Sequence, residues 1–321
     1  MHSEAESVRE DASSDSADGG VERGEFAEGA SDAPPGRGLV VATFNIRYAV
    51  GSRLISGSIM RRMGLARPAR RSSLVGGNLG RAASLLRDGR LMPAADVIAI
   101  QEADRRTTRA GGRHVARELA ELSGMNYAHA AMRVPRGVAP RPKQWYLDFE
   151  EIIGTDDAGD TGVSLLSRLP LEGVRRIELP RGECPWRPHL ALAATVSLRG
   201  KNLRVFNAHI DPHGSLEARL AQHRAVVAEA DKGSPEDPTV LLGDFNTLTR
   251  EARDATRRLL EAHGFSTPMP SGTATWRAGL VRLHTDWIFV RNARIKSWGV
   301  ARQRGVSDHW PVWAEVDPTD D

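Results

Sequence analysis

The stretch TVLLGDFNTL, residues 239–248, runs from β-branched and aliphatic residues straight into Gly243, Asp244 and Asn246 with no turn between them. A short apolar run of this kind reads as a buried strand. A carboxylate at its end then sits at a sheet rim, where the ends of several strands can converge on one ligand. Side chains at i and i+2 of an extended chain point to one side, so Asp244 and Asn246 are expected to share a face.

Five further segments repeat the pattern on either side: Phe44-Asn45, Gln101-Glu102, Asn207 to His209, Thr285-Asp286 and Ser307 to His309. By the same spacing Asn207 and His209 share a face. In each pair one group can handle a proton or a nucleophile, while the carboxamide can donate to a non-bridging phosphate oxygen. That combination suits phosphoryl transfer, in which a protein mainly positions groups and stabilises charge.

Strands are expected from Leu39 through LVVATFNI, over DVIAIQE, and at Tyr127 to Val134, Gly162 to Ser167, Val174 to Leu179, Leu190 to Ser197, Leu203 to His209, Thr239 to Gly243, Asp286 to Val290, Arg294 to Val300 and Val312 to Val316. Helices fit Leu79 to Asp88, Gly112 to Leu122, Leu216 to Ala230 and Glu251 to His263. Strands outnumber helices by about two to one, and many are joined by turns too short for a crossover helix. Paired mixed sheets covered by helices are favoured over a doubly wound sheet. The sequence has no internal repeat and no Gly-rich dinucleotide or GxxxxGK[ST] phosphate loop.

The net charge of +3 hides an asymmetry. Residues 1–37 hold ten Asp or Glu against three Arg, which leaves residues 38–321 distinctly basic and suited to an anionic partner. The first 37 residues are also rich in Ser and Gly, a composition that points to a disordered acidic tail. One large domain is expected over 38–317, with a basic insertion at about 50–73 and a short tail at 318–321. A second basic stretch, Arg133 to Lys143, is followed by Trp145 and Tyr146. No run approaches the roughly 18 to 20 apolar residues that cross a bilayer, and the N-terminus has no signal-peptide pattern. Cytoplasmic residence is expected. The single cysteine, Cys184, excludes an internal disulfide.

With these residues in place, VVATFNIR, VIAIQEAD, VFNAHID, VLLGDFNTL, TDWIFV and GVSDHWPVWAEV together resemble the successive motifs of the endonuclease/exonuclease/phosphatase superfamily. The resemblance covers about residues 39–317. It implies an α/β (α+β) fold of the DNase I-like kind: a four-layer αββα sandwich of two mixed sheets packed face to face, with the site at one edge. It also implies metal-dependent hydrolysis of a phosphate ester by in-line attack of water, without a covalent intermediate.

By the same resemblance Glu102 is the principal ligand of Mg²⁺, with Mn²⁺ as an alternative, while Asn45 and Asp308 stand near the metal. Hard cations of this type choose carboxylate oxygen. His309 resembles the histidine that contacts the scissile phosphate, held by Asp286, and His209 resembles a second catalytic histidine. Asp244 and Asn246 orient the water or steady the transition state, and the general base stays open between Asp244 and a histidine. Asn207, Asp211 and Arg47 are expected at the substrate.

The segment NAHIDPHGSLEARLAQ is similar to a bacterial branch that reads N-T-H-L-D-H-x-G followed by A-R-x-x-Q, from which this chain departs at Pro212; His213 is therefore set aside. The Cys-Asp-Arg run of inositol phosphatases is missing before Asp286, and so is the Asn-Gly-Arg run of apurinic-site endonucleases at Asn45-Ile46-Arg47. A monomeric phosphodiesterase of the nuclease type, with nucleic acid as a candidate partner, leads because the body is basic. A phosphomonoesterase or a phospholipid diesterase are the alternatives. A noncatalytic protein retaining the fold disagrees with the intact polar set.

Overall fold

The computed structural model describes residues 20–28, 37–51, 68–136, 153–182, 188–198 and 200–317. Strands β1 (Val21–Gly24) and β2 (Leu39–Asn45) precede helix α1 (Pro68–Arg87), β3 (Val97–Gln101), α2 (Val115–Ser123), β4 (Asn126–Ala131), β5 (Gly162–Ser167), β6 (Glu172–Glu178), β7 (Leu190–Leu198) and β8 (Lys201–His209). The chain continues through α3 (Leu216–Ala230), β9 (Thr239–Asp244), α4 (Arg250–Ala262), β10 (Trp276–Ala278), β11 (Val281–Leu283), β12 (Asp286–Arg291), β13 (Arg294–Val300) and β14 (Val312–Asp317).

Two mixed sheets form, as expected. The larger has the order β1-β4-β5-β3-β2-β14-β13 and the smaller β12-β9-β8-β7-β6; β10 and β11 pair only with each other as a hairpin. Only β2 with β3 and β8 with β9 run parallel. Alternation along each strand divides the apolar residues between layers. Leu39 and Val41, Val97 and Ala99, Leu203 and Val205, Val240 and Leu242, and Ile288 and Val290 all join the core between the sheets. Their alternating neighbours Val40, Ala42, Phe44, Ile98 and Ile100 pack outward against α1 and α2. Phe206, Leu241 and Phe289 pack outward against α3 and α4. Helices therefore cover both outer faces, and three apolar layers lie between four layers of structure.

The same parity fixes the site. Asn45, Gln101, Asn207, His209, Asp244 and Asp286 continue the series that faces the space between the sheets, at the end where the apolar series stops. Parallel pairing sets Asn45 beside Gln101 and His209 beside Asp244, and antiparallel pairing sets Asp286 beside Asp244.

Three expectations need correction. Residues 21–24 were expected in a disordered tail and instead form the edge strand β1, paired with β4. Glu22 holds it there, accepting from Tyr127 at 2.6 Å, from Arg105 at 2.8 Å and pairing with His114 at 2.8 Å. Helix α1 starts at Pro68 rather than Leu79, inside the expected insertion. Gly76, Gly77 and Gly80 lower helix propensity there, but burial of Val75, Leu79, Ala82, Ala83 and Leu86 overrides it. The hairpin β10–β11 was not expected at all. Residues 1–19, 29–36, 52–67, 137–152, 183–187 and 318–321, which include Cys184, Lys143, Trp145 and Tyr146, lie outside the described residues. Among the described residues no helix is long and apolar enough to cross a membrane.

Candidate active site

The buried floor of the site is a carboxylate–imidazole–carboxylate chain. His309 Nδ1 lies 2.9 and 3.1 Å from the two oxygens of Asp286, and its Nε2 lies 3.8 Å from Asp244 Oδ2. His209 Nε2 approaches the same Asp244 oxygen to 3.9 Å. The sequence places each group simply: Asp286 opens β12, Asp244 ends β9, His209 ends β8. His309 is fixed by a turn in which its N–H donates to Ser307 Oγ, while that hydroxyl reaches the Asn45 carbonyl.

Electrostatics follow from burial and proximity. Burial opposes charge on His309, but Asp286 and then Asp244 outweigh it, so its pKa is raised and the ring holds its proton at neutral pH. Burial first, and Asp286 second, push the Asp244 carboxyl upward from its ordinary range. Asp286 itself is braced by the Thr285 hydroxyl at 2.8 Å, and its N–H donates to Thr275 Oγ1.

A second layer, only partly exposed, stands above this floor. Arg47 approaches Asp308 to 3.3 Å and interacts electrostatically with Glu102. Asp308 also accepts from the Trp276 indole at 3.1 Å. Arg47, Tyr48 and Ala49 all have positive φ (48°, 41° and 58°), and Glu102 has φ 54°. Left-handed backbone costs non-glycine residues energy and concentrates at functional sites. Here it turns Arg47 and Glu102 out of their strands into this layer.

Several expected residues have other tasks. Asn207, expected at substrate, is fully buried: its amide nitrogen donates to the Ile100 and Ser164 carbonyls, and its oxygen accepts from Gln101 at 2.7 Å. It clamps one sheet to the other, and both of its N–H groups are spent. Asn45 likewise crosses between sheets, donating to Asp244 at 3.0 Å while its oxygen accepts from the Arg47 N–H. Asn246 adopts φ 49°, so the extended geometry expected for Asp244 and Asn246 does not hold. Its side chain donates to the Ile210 carbonyl at 2.7 Å. Asp211 is buried, accepting from the His213 N–H and facing His189.

Supporting residues outside the expected set are Gln101, Thr275, Thr285, Ser307, Trp276, Arg219 and Gln222. Arg219 donates to the Asn246 carbonyl and Gln222 accepts from the Asp211 N–H, which gives the A-R-x-x-Q spacing on α3 a physical purpose. Gln101, Thr285 and Ser307 lie inside the strand-end segments without an expected role there, and Thr275 and Trp276 carry no sequence signal.

The donor set fits a divalent cation. Four carboxylates, those of Glu102, Asp244, Asp286 and Asp308, face two cations, Arg47 and the His309 ring, leaving an anionic site that would repel a phosphate. Ligand atoms of Asp244, Asp286 and His309 lie within 4.8 Å of one another. Glu102 and Asp308, both electrostatic neighbours of Arg47, offer further oxygen atoms of the kind a hard ion takes.

Comparison with known proteins bears on the family and the fold. The model of the Endonuclease/Exonuclease/phosphatase family matches residues 42–309. No curated protein matches the sequence. Among solved structures, an endonuclease/exonuclease/phosphatase from Beutenbergia cavernae is similar at a TM-score of 0.59 and 18% identity, covering 88% of this chain and 72% of that one. A mannosyl-6-phosphatase from Bacteroides thetaiotaomicron is similar at 0.53 and 16% identity, covering 87% and 99%. A humanized D. rerio TDP2 is similar at 0.52 and 14% identity, covering 87% and 98%.

Proposed function

The chain belongs to the endonuclease/exonuclease/phosphatase family, and from that premise we propose that it is a divalent-metal-dependent phosphodiesterase, of the nuclease type, acting by in-line attack of water on phosphorus. The observation that carries this reading is the Asp286–His309–Asp244 chain with His209 beside the same Asp244 oxygen. Mg²⁺ or Mn²⁺, held by Glu102 and Asp308, would supply charge neutralisation at the phosphate oxygens.

The residues divide the remaining work. Asp244, with its pKa raised toward neutrality, is suited to accept the proton of the attacking water, since a general base works best near the operating pH. The His309 imidazolium, its Nδ1 fixed by Asp286, presents a positive Nε2 to the phosphoryl oxygens. His209 serves the leaving oxygen from the other side of Asp244. Asn246, anchored on Ile210, keeps one amide hydrogen for a non-bridging oxygen. Arg47 shifts from Asp308 to the substrate phosphate.

Support for a diester over a monoester comes from the rim. Arg277, Arg282, Arg302 and Arg304 lie close in sequence to Asp308 and Trp276, and no ion pair to any of them is recorded among the described residues. Neighbouring phosphates of a polyanion would meet them. The test is a panel of single- and double-stranded DNA, RNA, phospholipids and phosphomonoesters with Mg²⁺, Mn²⁺ or chelator, using Asp244→Ala and His309→Ala as controls. Hydrolysis that survives chelation or both substitutions overturns the site. Binding without turnover overturns the enzymatic reading.

A further inference from the structure

We infer that His189 and Asp211 are positioning residues for His209, an inference that rests on the hydrolytic reading of the site. His189 precedes β7 and is 2% exposed. Its Nδ1 lies 3.1 Å from the His209 carbonyl oxygen and its Nε2 lies 3.5 Å from Asp211 Oδ1. The two imidazoles stand edge to face, at 89° with centroids 5.2 Å apart.

The chemistry of these contacts is specific. Both nitrogens of His189 face oxygens that only accept, a carbonyl and a carboxylate. Donation from Nδ1 holds the His209 carbonyl, and the 3.5 Å approach of Nε2 to Asp211 is an electrostatic contact longer than a good hydrogen bond. A buried carboxylate needs such a partner, because an uncompensated charge out of water costs several kcal/mol. Asp211 is thereby tied to His189, and His189 to both the backbone and the ring of His209.

The segment beyond is fixed at each peptide group. Ile210 N–H donates to the Asp244 carbonyl, the Ile210 carbonyl accepts from Asn246, and Asp211 N–H donates to Gln222. With its backbone held and one ring edge packed on His189, His209 has its remaining freedom in the direction of Asp244, 3.9 Å away. Asp211, two residues after His209, thus acts behind the histidine rather than at the substrate.

The test uses the full chain with bis(4-nitrophenyl) phosphate and Mg²⁺. His189→Ala is expected to lower kcat by about 10- to 100-fold with KM within about twofold. His189→Asn, whose amide nitrogen replaces Nδ1 as donor to the His209 carbonyl, is expected to recover most of the loss. In a His209→Ala background, His189→Ala should add nothing. Additive losses, or an unaffected His189→Ala beside an impaired His209→Ala, overturn the inference. An unaffected His209→Ala overturns the reading of the site instead. Histidine-ring NMR gives an answer independent of turnover: the resonance missing from His209→Ala should shift in His189→Ala and Asp211→Asn and return in His189→Asn. A resonance that stays in place in folded variants overturns the inference whatever the activity.

Discussion

At the scale of single residues, chemically identical side chains near strand ends, all buried, do different work, and the difference is the partner each one meets. Asn207 is a cross-sheet clamp, Asn45 a brace on Asp244, and Asn246 an anchor for Ile210. Replacing Asn207 by Ala should destabilise the fold by about 2–4 kcal/mol, because it removes three buried hydrogen bonds, to the Ile100 and Ser164 carbonyls and from the Gln101 amide; chemical denaturation measures this. Asp244→Asn should instead leave the denaturation midpoint close to that of the parent and lower kcat by about 10²- to 10⁴-fold, whereas His309→Gln, which leaves buried Asp286 without its cationic partner, should lower both. The sequence made these positions legible as a set, since each ends an apolar strand. It could not tell their tasks apart, because the partners of Asn207 and Asn45 lie on the opposite sheet. Nor could it show that Asn246 turns the chain, although Asn is among the few residues that enter the left-handed region readily.

At the scale of elements, the close approach of β8 to β9 explains why the motif residue before Asp244 is glycine. Gly243 has φ 149°, and a Cβ there would stand 1.9 Å from the Ala208 carbonyl oxygen. Gly243→Ala must push β8 away and carry His209 from Asp244, so both thermal stability and kcat should fall; a loss of stability alone would show that the two strands do not set the catalytic spacing. Most strands and the helices α3 and α4 were legible because apolar periodicity follows the layer each face covers. The strand β1 was not, since the residues VERG carry no such pattern and are held by Glu22. The hairpin β10–β11 was equally illegible: it pairs with no sheet, and Arg277 lies directly opposite Arg282 across it. Like charges in that position are unfavourable, a cost an anionic partner would relieve. Arg277→Ala with Arg282→Ala should raise KM for a polynucleotide at low salt and leave hydrolysis of bis(4-nitrophenyl) phosphate nearly unchanged. An equal effect on both substrates would place the hairpin's role in supporting Asp308 instead.

At the scale of the whole molecule, three histidines outside the site are buried as neutral rings: burial pushes His129, His223 and His284 each down to about 3. A histidine with a lowered folded pKa binds its proton only on unfolding, so the stability it permits is complete above the ordinary value of about 6.5 and is lost as pH falls toward its folded pKa. His309 works in the opposite sense, but its contribution is already complete below about 6.5 and adds no slope there. Asp244, with its raised pKa, opposes the trend as one group against three. Glu22, whose three donors outweigh its burial and lower its pKa, extends the loss below about 4.5, where β1 begins to lose its anchor. The melting temperature should therefore change little between pH 7 and about 6.5, where His309 and Asp244 offset the three histidines, and fall from there to pH 5 by calorimetry. His223 isolates the cause: both ring nitrogens are buried without a hydrogen-bond partner, and its ring packs against Phe245. His223→Leu should flatten the slope between pH 7 and 5 and leave stability at pH 7.5 equal or higher, since a buried unsatisfied polar group is replaced by one of similar volume. A slope identical to that of the parent would assign the acid sensitivity to other groups.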